Sequence, residues 1–384
     1  MTIQRKIKII HVVPDLRKGG GEKFLLDICN EMKSRENIEF IIITLDGTNE
    51  YKDISKDLNL IYCNVPIRLS IKKKSEVDDA EFVKIVNSFQ PDIIHSHLYL
   101  AEIASRATIF PTVKYFSHLQ GFEDRFVPFS IKTLLKKEKI TNYFEKEWLI
   151  NRYKKCNNNF FAISKNTLNY YSKHLPKQLQ KNITLVHNAI PFERYFSAIH
   201  RKNTDIPIRL ISVGSLIDRK NHELLLQALV HLKKSNVDFR LEILGEGNKR
   251  HFLEKSILEK DLSEKVFLIG NVVNVEDYLK NADIYLHAAK YEPFGLVIIE
   301  AMAAGLPVIS LNGKGNKDIV LENYNGYLIN DENSKLFAEK IIYLLNNQSV
   351  YSNLSNNAIT FAKQFDIKEC VNKIIKQYQI VLEN

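Results

Sequence analysis

Short runs of β-branched and apolar residues recur along the chain, each closed by glycine or a polar turn and followed by a stretch with helical spacing. The first is Lys8–Val13 (KIIHVV); RKGGGEK follows it, and FLLDICNEM then sets apolar residues at helical intervals. Residues 39–45 (EFIIITL), 58–62 and 92–95 (DIIH) are further short apolar runs with polar connections. A strand covered on both faces reads as a near-continuous apolar run, and strand–helix repetition supplies the crossovers that parallel strands need. The pattern therefore predicts a parallel sheet covered by helices.

The rhythm breaks at the polar, irregular stretch Ser197–Pro207 (SAIHRKNTDIP) and then restarts. RLISVGSL, FRLEILGEG, KVFLIGNV, ADIYLHA and PVISL read as five buried strands, with helical segments such as HELLLQALVHLKK between them. A chain of 384 residues exceeds what one hydrophobic core usually serves, so two domains are expected. The fold class is α/β, with doubly wound Rossmann-like domains at residues 1–200 and 205–365. The helix-like segment at 366–384 is expected to pack back on the first of them.

The formal charge of +9 suits a nucleotide, a nucleic acid or an anionic membrane face and by itself selects none of them. Cys29, Cys63, Cys156 and Cys370 show no C-x-x-C spacing, so neither a disulfide framework nor a zinc site follows and a reducing cytoplasm is expected. The start, MTIQRKIKIIHVVPDL, is too interrupted for a signal peptide, and no run of ~18 apolar residues predicts a membrane span. Membrane contact, if any, is then peripheral. One basic segment, SIKTLLKKEKITNYFEKEWLINRYKKC, carries a candidate apolar stripe of Ile131, Leu134, Leu135, Phe144, Trp148 and Leu149. The stripe suits packing on the first domain or a surface facing membrane or acceptor.

The stretch Lys290–Ser310, KYEPFGLVIIEAMAAGLPVIS, sets Glu292 and Glu300 on either side of a Pro-Phe-Gly turn and an apolar helix that Gly305 and Pro307 end. The turn lies at a helix N-terminus, where free N–H groups and the positive dipole end favour phosphate. Carboxylates there would repel phosphate but accept hydrogen bonds from neutral hydroxyls, the combination a sugar nucleotide offers. The alternative is two helix-end acids acting as dipole partners. In SVGSLIDRKNHELLLQAL, Arg219 and Lys220 stand just before a helix, where two cations would stabilise a departing diphosphate; a solvated pair of charges is the plainer alternative.

These residues resemble the E-x7-E signature of the family 4 retaining glycosyltransferases, which implies the GT-B fold: two Rossmann-like domains facing across a cleft. The resemblance implies that Glu292 contacts the transferred sugar and Glu300 the ribose, while Phe294, Gly295 and Leu296 offer backbone N–H groups to sugar and phosphate. Lys220 matches the family's phosphate-binding lysine. Ser215 stands after Gly214 where the family often has arginine, so Arg219 is expected to compensate. KGGGEK, with Gly19, Gly20 and Gly21, resembles the family's glycine loop facing donor phosphates and acceptor. His118 in YFSHLQGFED matches the family's cleft histidine, and Asn188 in LVHNAIPFERYF matches an asparagine beside the cleft. His95 and His97 in DIIHSHLYLAEIAS match a strand-to-helix segment, Ser164 and Lys165 the end of the first domain, and Gly245 and Gly247 a loop near base and diphosphate.

No D-x-D pair, H-E-x-x-H or G-x-x-x-x-G-K-[ST] occurs, and GEGNKR and GKGNKD each lack the third glycine of a dinucleotide fingerprint. The resemblance then implies a metal-independent hexosyltransferase with catalytic residues His118, Glu292, Lys220 and Arg219. Its donor is a UDP- or GDP-sugar and its acceptor a saccharide, lipid-linked by resemblance to enzymes of bacterial polysaccharide and glycan assembly. Nucleic acid is not an expected partner, and the 131–155 segment and Lys72–Lys74 are candidates for peripheral contact with anionic membrane. Alternatives from the same fold are a sucrose- or glycogen-type synthase with a soluble acceptor and a non-catalytic partner subunit.

Overall fold

The computed structural model describes residues 5–68, 76–126, 137–197 and 207–383. Lys72–Lys74, Ile131, Leu134, Leu135 and most of the 197–207 joint lie outside these residues. The chain forms two compact units, residues 1–188 with 367–384, and residues 189–366. The division falls ahead of the joint expected at 197–207 because the segment after Asn188 bonds within the second unit. Ile190 N–H donates to Phe365 O over 3.0 Å, and Arg194 pairs with Glu276 at 2.9 Å.

The first unit holds strands β1 (Ile7–Val13), β2 (Ile38–Thr44), β3 (Leu60–Tyr62), β4 (Ile67–Arg68), β5 (Glu76–Val77), β6 (Ile93–His97), β7 (Lys114–Leu119), β8 (Asn159–Ala162) and β9 (Ile183–Leu185). Seven of them form a parallel sheet in the order β3-β2-β1-β6-β7-β8-β9, and β4 and β5 make a separate antiparallel pair. Ile9, Ile10, Val12 and Val13 of β1 are fully buried, as a central strand between helices requires. The terminal helix Ile367–Glu383 belongs to this unit; it packs on helix Gly20–Met32 and buries Val371, Ile374 and Tyr378. In the basic segment, the stripe divides along helix Lys137–Lys155. Leu149 enters the core, whereas Phe144 is 50% exposed.

The second unit holds β10 (Ile208–Val213), β11 (Phe239–Leu244), β12 (Val266–Gly270), β13 (Ile284–His287), β14 (Val308–Leu311) and β15 (Gly326–Ile329). They form a six-stranded parallel sheet in the order β12-β11-β10-β13-β14-β15. The sixth strand, β15, is a run of only four residues between polar segments, too short to stand out in the sequence. Helix His222–Lys234 carries Leu225, Leu229 and Leu232 into the core, where truncating any one to alanine costs about 2–5 kcal/mol. Both units are thus Rossmann-like. The strand order reverses between β1 and β6 in one and between β10 and β13 in the other, and ligands in such sheets bind beyond the strand ends at that point.

Candidate functional site

In the second unit the singled-out residues gather at this reversal. Gly214 follows β10, Gly245 follows β11 and His287 ends β13. Gly245 has φ +135°, and a Cβ there would stand 2.2 Å from Gly214 O; one at Gly247 would stand 2.3 Å from Leu216 O. These glycines let the β11 loop lie directly on the β10 loop, which fixes the loop leading to Arg219 and Lys220.

Glu292 is the centre of the constellation. Its Oε2 lies 2.5 Å from Lys220 Nζ and 3.6 Å from His287 Nε2, and its Oε1 lies 3.8 Å from Arg219 Nη1. The side chains of Lys220 and Glu292 are only 11% and 13% exposed. Burial alone would raise the Glu292 pKa, but Lys220 first and His287 next outweigh it and hold the carboxyl below the usual carboxylate range. The group is therefore ionised at neutral pH. Backbone bonds fix its position: Glu292 N–H donates to Gly313 O and Gly315 N–H to Glu292 O, at 2.8 and 3.0 Å. Arg219 is more open; its guanidinium donates to Tyr291 O at 2.9 Å with 41% of the side chain exposed. His222, buried beside Lys220, is held neutral, its pKa lowered to about 3 by burial and then by Lys220 and His287.

Helix Leu296–Ala303 begins after Gly295, whose φ of +97° is left-handed and costs glycine nothing. The first N–H groups of any helix lack intrahelical partners, so this start offers donors at the end of the Glu292 turn. Phe294 is 2% exposed and packs edge-on against Phe365, so its side chain anchors the turn. Glu300 is only 4% exposed and lies near enough to Tyr285 to act on its hydroxyl electrostatically, as Glu292 does. His287, which joins this group, was not singled out from HAAKYEPFG; its position at a strand end just before the Glu292 turn was the available signal.

The first unit assembles a second group. Gly19 caps helix Gly20–Met32, so Gly20 and Gly21 are helical and not part of an open turn as the sequence suggested. Tyr51 pins Gly19 by accepting from its N–H at 3.0 Å and donating to its carbonyl at 2.9 Å. A Cβ on Gly21 would stand 3.4 Å from Gln120, whose carboxamide oxygen accepts from Asn188 Nδ2 at 3.0 Å. His118 and Gln120 line a cavity of about 190 Å³ together with Glu102, Glu123, Tyr153 and Tyr171. Gln120, like His287, was not picked out as a site residue. Ser164 caps helix Lys165–His174, accepting from Thr167 N–H at 3.0 Å.

Strand register sets His11 beside His95 and His97 beside His118, so four buried histidines meet across β1, β6 and β7. Burial lowers the pKa of all four, to about 3 for His11 and His118, and they are neutral. Ring nitrogens of His11, His95 and His97 lie within 4.8 Å of one another, close enough to suggest a cation site. Yet His11 Nδ1 and His97 Nε2 face each other at 3.3 Å, and both His95 nitrogens have partners, at 2.6 and 3.3 Å. The geometry is that of hydrogen bonds between neutral rings.

Comparison with known proteins fits this picture. Residues 196–361 match the family model described as glycosyl transferases group 1. An uncharacterized glycosyltransferase of Methanocaldococcus jannaschii is 26% identical over 92% of this chain and 93% of its own length. The N-acetylgalactosamine-N,N'-diacetylbacillosaminyl-diphospho-undecaprenol 4-alpha-N-acetylgalactosaminyltransferase of Campylobacter jejuni is 30% identical over 48% of this chain, and that match spans half of the enzyme's length (50%). Among solved structures, Anabaena HepE in complex with UDP-glucose superposes with a TM-score of 0.77 at 17% identity, over 97% of this chain and 99% of that one.

Proposed function

We propose that the chain, whose residues 196–361 match the group 1 glycosyl transferases and whose fold is that of GT-B enzymes, is a glycosyltransferase that moves a sugar from a UDP- or GDP-linked donor to a hydroxyl of a lipid-linked saccharide with retention of configuration. The observation that carries this reading is the Lys220–Glu292–His287 group with Arg219, set at the strand reversal beside the start of helix Leu296–Ala303. When the anomeric C–O bond breaks, its electron pair passes to the diphosphate oxygen. Lys220, Arg219 and the helix-start amides stabilise that charge without a metal. The acceptor oxygen bonds to the anomeric carbon on the same face and gives its proton to the departing phosphate oxygen. Glu292 accepts from the sugar hydroxyls and Glu300 from the ribose, while Asn188 and His118 belong to the acceptor side.

The lipid-linked acceptor is supported by the Campylobacter relative, named for an undecaprenyl diphosphate acceptor. Tyr143 and Phe144, 39% and 50% exposed on helix Lys137–Lys155, add an aromatic pair suited to a membrane interface. Among the described residues no helix is long and apolar enough to cross a membrane, so the proposed contact is peripheral. The test is incubation with a panel of UDP- and GDP-sugars and a polyprenyl-diphosphate saccharide, read by mass spectrometry and by the anomeric signal in NMR. One added sugar with the donor's configuration is expected. Nucleotide release from no donor contradicts transfer, and extension of soluble saccharides alone contradicts the lipid-linked acceptor.

A further inference from the structure

The helix that ends the described chain carries a hydroxyl to the middle of the first sheet. Tyr378 is fully buried; its ring meets His95 and Phe116 edge-on at 5.9 and 4.9 Å, and its hydroxyl lies 2.6 Å from His95 Nδ1. His95 Nε2 lies 3.3 Å from His118 Nδ1. At the far end, His118 Nε2 is buried without a hydrogen-bond partner within the protein, on a residue lining the 190 Å³ cavity. Three groups thus form one chain from the terminal helix to the candidate acceptor side.

A chain of neutral imidazoles admits two proton arrangements. In one, Tyr378 O–H donates to His95 Nδ1, His95 Nε2–H donates to His118 Nδ1, and His118 carries its proton on Nε2. In the other every bond reverses, His118 Nε2 is a bare lone pair, and the Tyr378 proton points away from its partner at His95. The second arrangement strands a phenol proton in the core without an acceptor, which disfavours it. Tyr378 keeps that proton, because burial first and the Cys29 and Cys370 thiols second raise its pKa well above the ordinary value.

We propose that Tyr378 is a positioning residue: acting through His95, it fixes His118 as the Nε2–H tautomer, so that His118 presents a hydrogen-bond donor to its ligand. The ligand atom opposite it is then an oxygen acceptor, such as a saccharide hydroxyl oxygen or an amide carbonyl. His118 does not act as a base. Gln120 Nε2, on a second residue lining the same cavity, is also buried without a hydrogen-bond partner within the protein and adds a donor there. The consequence for turnover rests on the transferase reading, in which the departing phosphate takes the proton; the tautomer itself does not.

The test is a long-range 1H–15N correlation spectrum of the full chain labelled at histidine, with the His118 signals assigned by His118→Gln. Wild type is expected to show His118 protonated on Nε2 in at least about nine molecules of ten, the population that a bias of ~1.4 kcal/mol sets. Tyr378→Phe removes the hydroxyl with little change of shape, and the two tautomers are then expected in comparable amounts, with the thermal midpoint lowered by only the few degrees that one lost buried hydrogen bond costs. A wild-type spectrum with Nδ1–H as the main form overturns the proposal, whatever the variant does. So does a Tyr378→Phe spectrum with the wild-type tautomer. In the transfer assay, His118→Gln, which keeps an N–H donor, is expected to retain at least tenfold more turnover than His118→Leu; equal loss contradicts the donor role while leaving the transferase reading intact.

Discussion

Replacing Glu292 by glutamine removes one charge from the best-enclosed ion pair of the site and keeps the shape. Lys220 Nζ lies 2.5 Å from Glu292 Oε2 with both side chains nearly covered, so the lysine is left with an amide oxygen in place of a carboxylate. Breaking a buried pair costs about 3–5 kcal/mol when the remaining charge has no partner, and the amide oxygen brings this to about 2–3 kcal/mol. For a unit of this size that corresponds to a fall of about 4–12 °C in the unfolding midpoint at pH 7. The sign of the pH dependence is fixed because the Glu292 pKa is lower in the folded state than its ordinary 4.5. Its contribution is complete above that value and is lost as pH falls through the lower folded pKa. Scanning calorimetry from pH 7 to pH 3 is therefore expected to show the gap between wild type and Glu292→Gln closing only below about pH 4.5. An equal midpoint at pH 7, or a gap that stays constant to pH 3, refutes the ion-pair argument.

Lys220→Ala is expected to lower donor turnover by about 10²–10³, and Arg219→Ala by less because Arg219 is more exposed and bonded to a backbone carbonyl; steady-state release of nucleotide measures both. Gly245→Ala places a Cβ against Gly214 O at a φ of +135°, and chemical denaturation is expected to show a loss of about 2–4 kcal/mol. Dialysis against EDTA is expected to leave turnover unchanged, since in the proposed mechanism cationic side chains and amides carry the leaving-group charge; loss of activity restored by Mg²⁺ or Mn²⁺ contradicts that.

The central strands were legible because burial on both faces leaves a near-continuous apolar run, broken in Ile9–Val13 only by His11 and seen again in the strand ending at His287. Glu292 and Glu300 stood out because charge in so apolar a neighbourhood needs a reason, and Lys220 because it stands with Arg219 just before a helix. Strand β7 was hidden by Lys114, Ser117 and His118, polar residues that pair across strands instead of marking a loop. The glycines of KGGGEK looked like a loop, but two of them begin the helix, with Gly21 beside Gln120. Tyr378 could not be read at all: its partner His95 is 283 positions away, and nothing local marks a tyrosine on an amphipathic helix as one end of a hydrogen-bond chain.

The central claim is that an activated sugar is held by its diphosphate at Lys220, Arg219 and the Gly295 turn, with Glu292 on the sugar and Glu300 on the ribose. A crystal structure with a bound nucleotide sugar tests it most directly. The account predicts diphosphate oxygens within hydrogen-bond distance of Lys220 and of the amides at the start of helix Leu296–Ala303, and ribose hydroxyls on Glu300. Diphosphate bound elsewhere, or a ribose that leaves Glu300 untouched in the core, contradicts it.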